Sequence, residues 1–267
     1  MVASVDTQLE VLTIDERTLL ARLASLSEGV ENGLLAFDGD GTLWTGDVGE
    51  DVFSQAVTQN LLREDAREAL EREALAHGIE RTGTSNELAA RLFAAYLAGA
   101  YPERDVCAMM TWCYAGFSRA EMLALARHAF AETDLADRLH RELEPVLNFA
   151  REAGLRVVVV SASPQLIVEE AVNLWGVAAS DVTASRPAFE GEQIAPRLAS
   201  PVPYAEGKPV ALRALAPDRE LLASFGDNVF DIEMLRLARL GVAVRPKPAL
   251  RVRLPELSGI VVLESYH

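Results

Sequence analysis

The chain has 267 residues, half of them hydrophobic and 24% charged, which is enough for one large domain or two modest ones around a packed core. Its 40 acids against 25 bases leave a formal charge of −15, and this excludes the basic surfaces that nucleic acids and anionic membranes require. A phosphate-bearing ligand would therefore have to meet local positive charge, most simply a metal ion together with a lysine.

Residues Met1–Glu10 show neither a basic segment nor an apolar signal core, and no apolar run reaches membrane-spanning length, so a cytoplasmic setting is expected. Thr13-Ile-Asp-Glu16 has the capping-box pattern and predicts a helix to about Ser27. The run Leu34–Phe37 predicts a strand that breaks into Asp38-Gly-Asp40-Gly-Thr42. From Asp47 to Glu144 the pattern is helical almost throughout, with Asp47 and Ser118 as caps and Leu88, Leu92, Phe93, Tyr96 and Leu97 on one helix face. Within it Cys107 and Cys113 lack CxxC spacing and read as reduced, buried thiols, while Trp112, Tyr114 and Phe117 read as core. Arg81, Arg91, Arg104 and Arg119 read as solvated helix residues, and His77, His128 and His140 have no metal-ligand spacing.

Beyond this stretch, Pro145–Gly154 predicts a helix and Leu155–Val160 a β-branched strand that ends at Ser161. Ser163 and Pro164 predict the N-cap and first residue of a helix that continues over Gln165–Trp175 and stops at Gly176. Asp181–Pro203 is irregular or hairpin-like, and Lys208–Leu215 is a short helix. Leu221–Phe225 is a strand broken by Gly226-Asp227, Phe230–Arg239 a helix, and Gly241–Val244 and Gly259–Leu263 strands. Nearly all-apolar strands alternating with helices predict an α/β fold with a Rossmann-like parallel sheet covered on both faces. The expected division is a core of residues 1–46 and 145–267 carrying an inserted helical cap of residues 47–144.

Three apolar strands end in polar residues: Asp38 with Asp40, then Ser161, then Asp227. Open parallel sheets bind ligands at that edge, so these distant segments are expected to meet. Asp38, Asp227 and Asp231 offer hard oxygen ligands suited to Mg²⁺. Paired carboxylates on one turn can divide the work between a nucleophile or ligand and a proton donor, with the proximity of Asp38 and Asp40 raising one pKa. Ser161, a helix N-terminus and Lys208 would complete a phosphoryl-binding site.

In order and spacing these motifs resemble the haloacid dehalogenase superfamily of phosphotransferases. The DxDGT motif is Asp38-Gly-Asp40-Gly-Thr42, the strand-closing serine is Ser161, the helix-opening lysine is Lys208, and GDxxxD is Gly226-Asp227-Asn-Val-Phe-Asp231. The resemblance runs from about Leu34 to the C-terminus, and the helical insertion looks like the cap of phosphoserine-phosphatase-like members. It implies that Asp38 is the nucleophile, forming an aspartyl-phosphate, and that Asp40 is the acid and base. It implies that Mg²⁺ is held by Asp38, the backbone carbonyl of Asp40, Asp227 and Asp231, and the phosphoryl oxygens by Ser161, Ala162 and Lys208. Asp40 separates the chain from the dehalogenase branch, which lacks an acid there.

The chain departs from phosphoserine phosphatases at Gly41, where they carry serine, and at Phe230, where they often carry asparagine. The substrate-sensing glutamate aligns with Asp47, which reads equally as a substrate contact and as a helix cap. The resulting expectation is a Mg²⁺-dependent phosphatase acting on a small phosphorylated metabolite of phosphoserine type. The alternatives are a phosphotransferase or mutase of the same superfamily and a low-turnover regulatory protein that binds phosphate esters. No feature of the sequence sets an oligomeric state.

Overall fold

The computed structural model describes residues 11–264; the reading of Met1–Glu10 lies outside the described residues. In chain order the first elements are β1 (Thr13–Ile14), α1 (Glu16–Ser27) and β2 (Gly33–Phe37). Five helices follow: α2 (Val48–Thr58), α3 (Arg67–Ala76), α4 (Ser85–Leu97), α5 (Glu103–Trp112) and α6 (Arg119–Glu132). Next come α7 (Glu144–Glu152), β3 (Arg156–Pro164), α8 (Gln165–Ala171), β4 (Val182–Ser185), β5 (Pro187–Glu190) and β6 (Gln193–Leu198). The last are α9 (Gly207–Leu215), β7 (Glu220–Gly226), α10 (Ile232–Leu237), β8 (Leu240–Val244), α11 (Pro248–Arg253) and β9 (Ile260–Leu263).

Seven strands form one parallel sheet in the order β1-β9-β8-β7-β2-β3-β4. The chain runs outward from β2 through β3 to β4, then crosses to β7 and runs outward on the other side. This makes β2 the switch point, where an open α/β sheet leaves a crevice beyond its strand ends. Register fixes what meets there. Phe37 pairs with Val159 on one side and Phe225 on the other, so Asp38, Ser161 and Asp227 emerge at nearly one level. The Phe37 and Phe225 rings stack with centroids 4.2 Å apart, and the Asp38 N–H donates to the Phe225 carbonyl at 2.9 Å. Every residue of β2 is buried, as a strand covered on both faces requires.

The helices α2–α6 lie between β2 and β3, as the periodicity predicted. Their apolar residues, among them Phe53, Leu88, Val106 and Met109, join one cluster with Leu35, Phe37 and Phe225 of the sheet. α5 crosses β3 and β6 and brings its N-terminal turn over the crevice. Chain exit and return run side by side. Trp44 bridges Leu139, the Thr45 N–H donates to the Arg138 carbonyl at 2.9 Å, and the His140 N–H donates to the Leu43 carbonyl at 3.0 Å. The His140 ring, which the sequence left unassigned, reaches the Thr42 carbonyl and the Thr45 hydroxyl, both at 2.8 Å. The N-terminal helix α1 packs on α7 and β7 through fully buried Leu19 and Leu23.

Several local expectations change. Asp15, not Thr13, caps α1 by accepting from the Thr18 N–H, because Thr13–Ile14 is drawn into an edge strand beside β9. Leu97 leaves the buried face of α4 and is 69% exposed. α4 instead has a full capping box, Thr84 with Glu87, that the sequence reading missed. β3 runs on through Pro164, so Ser163 belongs to a strand and caps nothing; α8 starts at Gln165. The stretch Asp181–Pro203 contains the hairpin β5-β6 and also β4, an edge strand of the main sheet. Among the described residues no helix is long and apolar enough to cross a membrane.

Candidate active site

The crevice gathers the predicted side chains. Lys208, one residue into α9 and 4% exposed, donates to Asp38 Oδ1 at 2.6 Å and also to Asp231 Oδ1. Thr42 donates to Asp38 Oδ2 at 3.2 Å, so both oxygens of the buried Asp38 are engaged. Asp231 Oδ2 accepts the N–H groups of Asp227 and Asn228 at 3.1 and 2.9 Å. Asp231 therefore anchors the loop and the lysine. Gly226 is what allows this: a Cβ there would lie 2.5 Å from the Asp231 Cβ.

Carboxylate oxygens of Asp38, Asp227 and Asp231 lie within 4.8 Å of one another, and all three residues are buried. Asp227 Oδ1 is buried with no hydrogen-bond partner. An orphaned carboxylate oxygen facing two other buried acids fits a hard divalent cation, which takes oxygen ligands and supplies the missing charge. Gly41 lies close to the same oxygens. Its φ is +82°, and a Cβ there would sit 2.2 Å from Asp227 Oδ2.

Burial pushes Asp38 well above the usual carboxylate range, and repulsion from Asp231 adds to it while Lys208 works against it. The raising charge thus comes from across the sheet, not from the sequence neighbour Asp40 that the motif suggested. Burial also pushes Asp227 up to about 6, with Lys247 opposing and Asp231 reinforcing the shift. Burial acts to discharge Lys208, but Asp231 and Asp38 more than offset it and raise its pKa.

Asp40 is turned differently. Its Oδ1 accepts from Trp44 Nε1 and the Val48 N–H, both at 2.8 Å, and its Oδ2 accepts from Ser163 Oγ at 2.6 Å and Ser161 Oγ at 3.5 Å. The Asp40 carboxylate is accordingly outside the metal-ligating group, which leaves its backbone carbonyl as the expected contact. Ser161 Oγ in turn accepts the Ser163 N–H at 3.0 Å. Asp47 is the helix cap: its Oδ1 accepts the Glu50 N–H at 2.8 Å at the start of α2, and the residue also lines the crevice.

These groups surround a cavity of about 80 Å³ that Ala162 also lines. The sequence reading missed Ser163 as a partner of Asp40, together with Glu103, Cys107, Tyr204 and Lys247, which line the same cavity. Lys247 Nζ pairs with Asp227 Oδ2 at 2.9 Å. It follows the apolar strand β8, so the strand-end logic that found Asp38 would have found it. Cys107 and Cys113 are free thiols, and Cys113 is buried as expected, whereas Cys107 is only half-buried because it borders the cavity. Arg119 is not solvated alone but pairs with Glu169 across α6 and α8. His77 lies 3.4 Å from Glu73 and 3.7 Å from Asp105, pinning α3 to α5 with the Tyr101 hydroxyl on Glu73 at 2.9 Å. A larger groove of about 560 Å³ runs beyond Tyr204 along α9; it is lined by Val202, Val210, Arg104 and Arg186 and by none of the strand-end acids.

No curated protein sequence matches significantly. Similar solved structures include a protein with unknown function from Bordetella pertussis Tohama I, at 21% identity and TM-score 0.64 over 88% of this chain and 99% of that one. A HAD family hydrolase from Salmonella enterica subsp. enterica serovar Typhi is 16% identical, with TM-score 0.57 over 94% and 77%. A probable phosphoserine phosphatase from Vibrio cholerae is 16% identical, with TM-score 0.54 over 88% and 61%. At these identities the likeness speaks for the shared fold. The model for haloacid dehalogenase-like hydrolases matches residues 35–236, from β2 through α10 and across all four motifs, and the chain belongs to that family.

Proposed function

We propose that the chain is a Mg²⁺-dependent phosphatase that hydrolyses a small-metabolite phosphomonoester through an aspartyl-phosphate on Asp38. The observation that carries this reading is the convergence of buried Asp38, Asp227 and Asp231 with Lys208 at the sheet's switch point. Asp38 and Asp227, the backbone carbonyl of Asp40 and the anchor Asp231 would hold the cation. When bound, Mg²⁺ supplies the positive charge that offsets phosphoryl oxygens and buried carboxylates.

The chain's own groups divide the remaining work. Lys208 keeps one Asp38 oxygen fixed and places an ammonium beside the incoming phosphoryl group. Ser161 and Ala162 would contribute hydroxyl and backbone contacts from the C-terminal half of β3. Asp38 attacks phosphorus and the bond to the leaving oxygen breaks, with that oxygen taking its proton from Asp40. In the second half Asp40 takes a proton from water, the water oxygen attacks phosphorus, and the bond to Asp38 breaks to release inorganic phosphate. Oδ1 of Asp40 is held by an indole and a backbone N–H, which donate only, whereas Oδ2 meets the Ser163 and Ser161 hydroxyls, which can rotate to release it, so Oδ2 is the atom suited to proton traffic.

Residues 47–144 would act as a cap, excluding bulk water from the small cavity and limiting the size of the leaving group. The phosphoserine class expected from the sequence fits that size limit. The test is hydrolysis of p-nitrophenyl phosphate with Mg²⁺, with chelator, and with Asp38→Asn. Activity confined to the first condition supports the proposal, and equal rates in all three would end it. Adding acceptor alcohols separates hydrolysis from transfer by the products formed.

A further inference from the structure

We propose that Glu73, His77 and Asp105 form a second metal site, suited to Zn²⁺ and separate from the crevice, that staples α3 to α5. This inference stands apart from the phosphatase reading. Glu73 lies in the last turn of α3 and His77 closes that helix, so the two share one face. Asp105 comes from the first turn of α5. One ligand atom from each residue lies within 4.8 Å of the others. His77 Nε2 stands 3.4 Å from Glu73 Oε1 and 3.7 Å from Asp105 Oδ2. Both separations exceed the roughly 2.7–3.2 Å of an N–H···O hydrogen bond. They are near the roughly 3.3 Å that separates ligand atoms around a tetrahedral zinc with bonds of about 2.0 Å.

One buried side chain holds all three residues. Tyr101 is 2% exposed and donates its hydroxyl to Glu73 Oε1 at 2.9 Å. The same hydroxyl lies 3.0 Å from the Asp105 carbonyl, and the Tyr101 ring meets the His77 imidazole edge-on with centroids 4.7 Å apart. Burial and the Glu73 charge hold the Tyr101 hydroxyl well above its ordinary 10, so it stays a donor and is not itself a ligand. Outer contacts of this kind orient the ligands of built metal sites. The Glu73, His77 and Asp105 side chains are 29%, 23% and 39% exposed, so an ion can enter and water can complete its shell.

The donor set chooses the ion. Two carboxylates and a neutral imidazole leave two negative charges, which one divalent cation neutralises. The nitrogen ligand favours zinc over Mg²⁺, which the all-oxygen set of Asp38, Asp227 and Asp231 suits instead. The C-terminal end of α3 adds its partial negative charge. Asp105 lies between Glu103 and Cys107, which line the active-site cavity, so the staple would fix the turn that forms part of the cavity wall. The histidines by themselves carry no metal-ligand spacing, because the set is completed only where α3 and α5 meet.

The experiment titrates metal-free protein with Zn²⁺ and with Co²⁺. The background is Asp38→Asn/Asp227→Asn, which removes the crevice acids as competing ligands. This variant should bind one zinc equivalent at micromolar concentration, and adding His77→Gln or Glu73→Gln should abolish that binding. Zinc at 100-fold above its Kd should raise Tm by about 5–10 °C. Tyr101→Phe should weaken the site by about 10-fold, since it removes only an orienting hydrogen bond. Bound Co²⁺ should show no thiolate charge-transfer band; such a band would assign the ion to Cys107 and overturn the proposal. Uptake that needs millimolar zinc, or that persists after His77→Gln, also overturns it and leaves an ion pair between imidazolium and two carboxylates. Should the double variant not fold, the stoichiometry of the wild type decides. A fall by one equivalent in Glu73→Gln, which keeps an acceptor for Tyr101, supports the site, and an unchanged count overturns it.

Discussion

Replacing Lys208 with methionine tests how the buried charge cluster is balanced. Methionine keeps most of the apolar stem, so packing changes little, but Asp38 and Asp231 lose the ammonium that lies 2.6 Å from one and contacts the other. Removing one partner of a buried ion pair costs about 3–5 kcal/mol, because the remaining charge is left unpaired. Asp38 is already pushed upward by burial, so it takes a proton easily and holds the loss near the lower end, about 3 kcal/mol. For a chain of this size each kcal/mol moves Tm by roughly 2–4 °C, which gives a fall of about 6–12 °C in metal-free protein. The variant has one positive charge fewer, so Mg²⁺ should raise its Tm more than it raises that of the wild type. Calorimetry with and without Mg²⁺ reads both effects, and kcat/KM should fall by about 100-fold or more. A metal-free Tm within about 2 °C of wild type would refute the pairing argument, given that scale.

Two other perturbations separate proton transfer and the loop's support. Asp40→Asn should lower kcat for alkyl phosphates by about 10²–10⁴-fold. It should spare p-nitrophenyl phosphate in part, since nitrophenolate departs without a proton; equal losses would remove Asp40 as the acid. Burial and the charge of Arg245 hold His140 below its ordinary 6.5, with the Thr42 carbonyl working the other way. As pH falls the unfolded chain therefore takes up the proton first, so this stability is complete above 6.5 and is lost below it, through the lower folded value. His140→Asn should shrink the loss measured by urea unfolding between neutral and mildly acidic pH, and an unchanged pH slope would show that His140 does not carry it.

Much of the site was legible because a buried strand ending in carboxylates is costly without a purpose. Asp38, Ser161 and Asp227 each follow an apolar run, and parallel register then carries them to one level. Asp231 was legible as a further hard oxygen ligand and Lys208 as a charge opening a helix, and their contacts with Asp38 and the Asp227 loop supply a physical reason for both. Ser163 was misassigned because serine before proline looks like a helix cap, and β3 overrode that local preference by extending through Pro164. Glu103 and Tyr204 carried no local signal at all. Glu103 opens α5 and reaches the cavity only because that helix crosses the sheet, while Tyr204 reaches it from the loop before α9. The short edge strands β1 and β4 were missed for the same reason, since two and four residues hold too little pattern to read.

The most direct measurement is rapid acid quench of the wild type turning over a radiolabelled phosphomonoester with Mg²⁺, followed by peptide mapping. The account predicts a hydroxylamine-labile acyl-phosphate on the peptide carrying Asp38, absent from Asp38→Asn. Turnover that leaves no label on Asp38, or that survives Asp38→Asn at the wild-type rate, would contradict it.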